Sequence, residues 1–263
     1  MSTLINYKFF KLENYGYLAI YLVGFINWYL FFNFGDYDFD FEDWAFYYGL
    51  YSVWKTSLSE NIIPFFASFF SESSILYGGY DGDYFFAKSW SIFQPQIILL
   101  KFLSIKNYVT FNILLFYSIS FYSIILWINY LKIQKIYSYF LLIILILNGK
   151  YFSQLGFGGI QMTIGYMLIP LFFWHLKNFL YSENNVQEII KFSLFMFIIL
   201  SQADMHIYYQ MFIVAGIFTI FHVEKYLSFI IVFVISTISS LWYIAPVVFY
   251  GNFNLPDFDH WRH

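Results

Sequence analysis

Apolar stretches of near-spanning length recur along this chain, separated by short polar breaks. A run of about 20 mostly apolar residues crosses a hydrocarbon core as a helix. On that criterion the pattern predicts seven spans, at residues 15–34, 108–131, 137–152, 163–180, 189–202, 207–221 and 226–250. The third is broken by Asn148-Gly149, the fourth contains Pro170, and the seventh carries Pro246 near its end. The stretch 92–103 is apolar but too short to span, with Pro95 near its start and Lys101 inside. It reads as a re-entrant or interfacial helix. Between the first two spans lies one long non-spanning loop, 35–107. Inside it Trp44, Tyr47, Tyr48, Tyr51, Trp54 and Leu58 recur at helical spacing. They predict an aromatic amphipathic helix lying in the membrane interface.

Composition sharpens this picture. Hydrophobic residues make up 60% of the 263 positions, aromatic residues 27% and charged residues 11%. Soluble domains average about 25% charged residues, so too few charges are present to solvate a globular surface. A soluble enzyme domain, a disordered chain and a nucleic-acid binder are excluded on this ground. The net charge of -3 argues in the same direction against a polyanionic partner. With no cysteine, there is neither a disulfide framework nor a thiolate site. The expected fold is an all-α integral membrane protein, a single polytopic domain over 1–263. It has about seven transmembrane helices plus an outer loop with amphipathic and re-entrant helices.

The few charges orient the spans. With the N-terminus in the cytoplasm, the inner ends carry Lys8, Lys11, Lys132, Lys135, Lys177, Lys191 and Lys225. The acids there are Glu13, Glu183, Glu188 and Glu224, so the inner side is net positive and the outer side net negative, as topology requires. The C-terminus then lies outside, and the protein is multi-pass in the plasma (inner) membrane. Trp28, Tyr29, Trp127, Tyr130, Trp174, Trp242 and Tyr243 fall towards span ends, where interfacial anchors belong.

Inner loops are too short for a site, so candidate chemistry falls on the outer face. The long loop opens Gly35-Asp36-Tyr37-Asp38-Phe39-Asp40-Phe41-Glu42-Asp43-Trp44, with five carboxylates directly after a span. A solvated acidic collar is the plain reading; a catalytic carboxylate is the functional one. The turn Tyr77-Gly78-Gly79-Tyr80-Asp81-Gly82-Asp83 lacks the ligand set of a calcium loop. At the outer end of the third span, Lys150 and Gln154 stand in a Gly-rich connection whose glycines explain themselves. Between the fifth and sixth spans comes Gln202-Ala203-Asp204-Met205-His206. Two ligand types two residues apart are no metal site by themselves. No metal ligand set is assigned, and a divalent cation is left open as a cofactor.

In their order along the chain these pieces resemble the GT-C superfamily of membrane glycosyltransferases, in particular YfhO-like multispanning bacterial proteins. The resemblance rests on Asp43-Trp44, Pro64-Phe65-Phe66, Gly78-Gly79, Pro95, Asn148-Gly149 leading to Gly156, and Leu168-Ile169-Pro170-Leu171. It implies transfer of a sugar from a polyprenyl-phosphate donor to a lipid, glycan or protein acceptor on the outer face. Asp43 best matches the family's acid on the first outer loop, and Asp36, Asp38 and Asp40 are neighbours able to serve instead. Trp44, Lys88, Lys150, Gln154, Asp204 and His206 are the expected substrate-binding residues, with the lysines and His206 facing the phosphate leaving group. Membrane lipids are expected partners and nucleic acid is not. Family members usually have more spans and often a soluble outer domain, so the chain reads as an N-terminal fragment or a minimal form. Two other classes stay open. A transporter or flippase for a lipid-linked substrate needs ionisable residues in mid-membrane, and the spans hold almost none. A non-catalytic membrane subunit needs only to pack helices.

Overall fold

A computed structural model describes residues 15–34, 43–61, 94–149, 155, 159–183, 185–203 and 205–249. Its helices are α1 (Tyr15–Phe34), α2 (Asp43–Ser59), α3 (Ile105–Leu131), α4 (Lys135–Ile146), α5 (Ile160–Tyr181), α6 (Asn185–Gln202), α7 (Met205–Ile220) and α8 (Tyr226–Phe249). Short 3-10 helices cover Pro95–Lys101 and Val223–Lys225. The fold is all-α among the described residues. One helix there, Ile105–Leu131, is long and apolar enough by length and composition to cross a membrane. Tyr15–Phe31, Lys135–Ile146 and His206–Ile220 are apolar but shorter.

Local chemistry sets several helix ends. Ser104, in extended backbone, caps α3 by accepting from the Asn107 N–H at 3.2 Å. This starts the helix three residues ahead of the expected Tyr108. Its other end closes at Lys132, left-handed at φ 52°, with the Lys132 and Ile133 N–H groups both donating to the Ile128 carbonyl. That is a Schellman-type stop with lysine where glycine is usual. The third expected span is shortened most. Helix α4 has 12 residues, about 18 Å of rise, and its cap is Leu147, just ahead of Asn148-Gly149. A hydrocarbon core is about 30 Å thick, so α4 alone does not cross it.

The helices pack in a chain of neighbours. Helix α1 lies on α3 and α4, α3 on α5, α5 on α6 and α7, and α6 and α7 on α8. Two glycines set the closest approaches. A Cβ at Gly24 would strike the Tyr117 hydroxyl of α3 and, at 2.8 Å, the Ile146 side chain of α4. A Cβ at Gly165 of α5 would meet Ile207 and Ala203, where α6 gives way to α7. Small residues at helix crossings are how bundles in lipid gain packing contact. Around them Tyr21 stacks on Tyr117 at 5.7 Å and its hydroxyl pairs with the Ser118 Oγ at 2.9 Å.

Helix α2 forms where the aromatic spacing predicts, but its face has another partner. Tyr51 and Trp54 are almost fully buried, and Tyr47 and Leu58 pack on the same core. The buried face meets Pro95–Lys101 and α3. The Lys55 ammonium donates to the Leu103 carbonyl at 2.7 Å, and Lys101 reaches the Asn61 side chain at 2.7 Å. Of the expected stripe only Tyr48 is exposed among the described side chains. The helix therefore docks on protein, with Tyr51 edge-on to Tyr108 and its aromatic area buried in the core. Trp28 is likewise fully buried in the core instead of standing as an interfacial anchor. The short apolar stretch near Pro95 is a 3-10 turn, with Ile97 and Leu100 buried.

Candidate functional site

The docking of α2 and Pro95–Lys101 creates a buried polar cluster in an otherwise apolar protein. Gln94 precedes Pro95 in extended backbone, as a residue before proline prefers. That geometry points its amide inwards. Its Nε2 donates to the Ser201 carbonyl at 3.1 Å, and its Oε1 accepts from the Tyr108 hydroxyl at 3.4 Å. Two residues on, the Gln96 Nε2 donates to the Asn112 Oδ1 at 3.1 Å and to the Gln202 Oε1 at 2.6 Å. The Gln202 Nε2 returns a bond to the Gln96 Oε1 at 3.3 Å. Three distant segments are thereby tied together: the 3-10 helix, the first turns of α3 and the last turn of α6.

A second arm runs through α2. The Tyr47 hydroxyl donates to the Gln161 Oε1 at 3.2 Å, in the first turn of α5. Tyr47 stacks on Tyr51, and Tyr51 meets Tyr108 edge-on at 5.2 Å. Gln94, Tyr108, Asn112, Gln161 and Gln202 are all buried. Each amide left without a partner here would cost about 1–3 kcal/mol, so their mutual pairing is what permits the burial. Burial also pushes the Tyr51 hydroxyl up from its ordinary value, which keeps the ring neutral.

Every group of this cluster is uncharged. It can hold hydroxyl-bearing ligands or fix the surrounding segments, but proton transfer near neutral pH requires another group. The expected site residues bear on this unequally. Asp43 and Trp44 form the first two positions of α2, the helix that carries Tyr47 into the cluster. His206 is exposed in the first turn of α7. Asp36, Asp38, Asp40, Lys88, Lys150, Gln154 and Asp204 lie outside the described residues. Among the described residues no group of three or more His, Cys, Asp and Glu could hold a metal ion.

The cluster itself escapes sequence reasoning. Gln94, Gln96, Asn112, Gln161 and Gln202 are scattered over more than a hundred positions. One signal was available: Asn112 and Gln161 are amides in or beside apolar runs, where a polar side chain needs a reason. Comparison with protein-family models, with curated proteins and with solved structures gives no significant match.

Proposed function

We propose that the chain is a multi-pass membrane protein that works as a GT-C type glycosyltransferase on the outer face. The membrane part is supported by the apolar surface. Phe140 and Ile144 on α4, Ile213 on α7, and Leu227 and Ile238 on α8 are each at least 60% exposed. Soluble monomers rarely leave apolar patches of that extent. The inside is apolar too, but it also holds the amide cluster and buried Ser120, Ser123 and Ser193.

The observation that carries the catalytic part is the amide and phenol cluster beneath the start of α2. It braces the helix whose first residue is Asp43, the carboxylate that the resemblance assigns as base. In the proposed step an acceptor hydroxyl oxygen bonds to the anomeric carbon of the sugar. The bond from that carbon to the lipid-phosphate oxygen breaks, and the phosphate leaves with the electron pair. The hydroxyl proton passes to the Asp43 carboxylate, which must come within about 3 Å of it. Lys150 or His206 would offset the charge gathering on the phosphate. Asp43→Asn should abolish transfer from a polyprenyl-phosphate sugar in isolated membranes while the protein stays folded; full activity in that variant rejects the role.

A second reading, a non-catalytic membrane subunit, is favoured by one feature. Gln96 and Gln202 exchange hydrogen bonds in both directions, so part of the cluster is satisfied internally. Mass spectrometry of co-purified lipid separates the two. A polyprenyl phosphate supports the enzyme, and membranes that contain the protein but neither bind nor use such a donor support the subunit.

A further inference from the structure

At the end of the bundle away from the amide cluster, α3, α5 and the first turn of α6 line an open cavity of about 460 Å³. It is lined by Tyr130, Lys177, Asn178, Tyr181, Ser182 and Glu188. Its volume falls within the range of about 300–1,000 Å³ usual for small-ligand pockets. The Lys177 ammonium sits 3.8 Å from the Tyr130 ring centroid and 4.2 Å from that of Trp174. Trp127 meets both rings edge-on and is anchored by its indole N–H to the Pro170 carbonyl at 2.9 Å. The cation is thus positioned by aromatic faces, which hold its charge without taking up its N–H donors as a carboxylate would.

The lining itself holds one ammonium, Lys177, and one carboxylate, Glu188, and a neighbouring cation leaves the site net positive. The Glu188 carboxylate is already bonded by Lys191 at 2.8 Å. The buried Lys225 ammonium donates to the Ser182 carbonyl at 2.8 Å, beside the cavity wall. Glu224 lies 3.5 Å from His222, and Glu183 is exposed and does not line the cavity. What faces the space is an ammonium, three hydroxyl-bearing side chains, an amide and the Glu188 carboxylate, whose charge Lys191 offsets. Donors of that kind suit a phosphate ester.

The rim indicates where the phosphate comes from. His222 meets Tyr181 edge-on at 5.0 Å, which brings the turn between α7 and α8 to the rim. Phe221 there is 80% exposed and Val223 72%. A phosphate site bordered by bare apolar side chains matches a headgroup with acyl chains attached. We infer that this cavity binds the phosphate of a membrane phospholipid headgroup, with Lys177 as its principal donor. The inference goes beyond the glycosyl-transfer reading but rests on the membrane part of it.

Native mass spectrometry of the full chain in detergent, with phosphatidylglycerol added as probe, tests it. Wild type should carry lipid adducts, and Lys177→Gln should bind about tenfold more weakly, the loss of one charge-assisted hydrogen bond. Lys177→Arg keeps the charge and the ring stacking, so it should retain binding and control for folding. Lys132→Gln, an exposed cation at the same end but outside the cavity, should bind as wild type. Equal binding by Lys177→Gln, or equal loss in Lys132→Gln, overturns the site. Inorganic phosphate displacing the lipid at equal concentration overturns the lipid source. Recovery of the chain from the soluble fraction overturns the membrane reading and this site together. A membrane-bound chain without a Lys177-dependent adduct overturns the site alone and leaves the transferase reading to its own assay.

Discussion

Helices α3 and α5 carry polar side chains at both ends, and the two sets differ in kind. Near Tyr108 and Gln161 the polar groups are neutral amides and phenols, buried and bonded to one another. Near Tyr130 and Lys177, about 24–33 Å of helix away, they are ammoniums and carboxylates around an open cavity. Neutral groups can be buried once their hydrogen bonds are made. A charge costs several kcal/mol to bury even when paired, so charged groups stay near the surface or lie against aromatic faces. The amide end is therefore suited to fixing structure around a site. The charged end is suited to meeting a charged partner.

The largest expected effect tests the transferase proposal at the amide end. Asp43→Asn should lower transfer by at least about a hundredfold, the scale of a lost general base, read as labelled sugar moved into acceptor in membranes. Folding should be little changed, because the amide cluster below is intact. Next comes close packing at the amide-end interior: Gly24→Leu forces a side chain into Tyr117 and Ile146. A loss of about 1–3 kcal/mol or more is expected, measured as a lower unfolding midpoint in detergent; an unchanged midpoint would falsify the close approach of α1.

Within the cluster, Gln202→Leu should cost about 1–3 kcal/mol, because the Gln96 Oε1 loses its donor and its Nε2 one of two acceptors. The double change Gln96→Leu with Gln202→Leu should cost clearly less than the two single changes added, since neither amide then faces a missing partner across the pair. The bond that Gln96 also gives the Asn112 Oδ1 is lost equally in the Gln96→Leu single change. Additive losses would mean that the two amides do not pair. Salt sharpens the contrast between the ends. Lys191→Gln should cost only about 0–1 kcal/mol, being a partly exposed pair, and that difference should shrink as sodium chloride is raised. The Gln202→Leu difference should not move with salt. One change is a gain of similarly small size: Lys132→Gly removes a left-handed lysine and should stabilise by about 1 kcal/mol.

Much of the helix content was legible because apolar runs and their polar breaks are local signals. Helices α5, α7 and α8 start or stop within about three residues of the expected runs, and α2 begins at Asp43, where the aromatic spacing starts. The ends moved where hydrogen bonding, not hydropathy, decides them. Ser104 starts α3 early, and α4 stops at Ile146, capped at Leu147 just ahead of Asn148-Gly149 and short of the expected end at 152. The face of α2 was read towards the membrane because an aromatic stripe looks alike against lipid and against protein. Only Lys55, bonded to the Leu103 carbonyl, and the aromatic wall of Tyr108 distinguish the two.

The candidate site was less legible still. Sequence reasoning favoured charged residues, which stand out in so apolar a chain; it took Gln154 and the Gln202–His206 run but not Gln94, Gln96 or Gln161. Gln96 and Gln202 become a pair only because the 3-10 turn at Pro95 and the end of α6 arrive at one place. The sequence by itself determined an all-helical chain too apolar for a soluble surface, with its charges gathered between the runs. Those properties follow from composition and period, which each segment carries alone. Which polar groups are buried together, which cation rests on aromatic rings and which face of α2 meets protein were decided by the tertiary structure. Hydrogen bonds and ring contacts need a partner within a few ångströms, and only folding supplies partners from a hundred residues away.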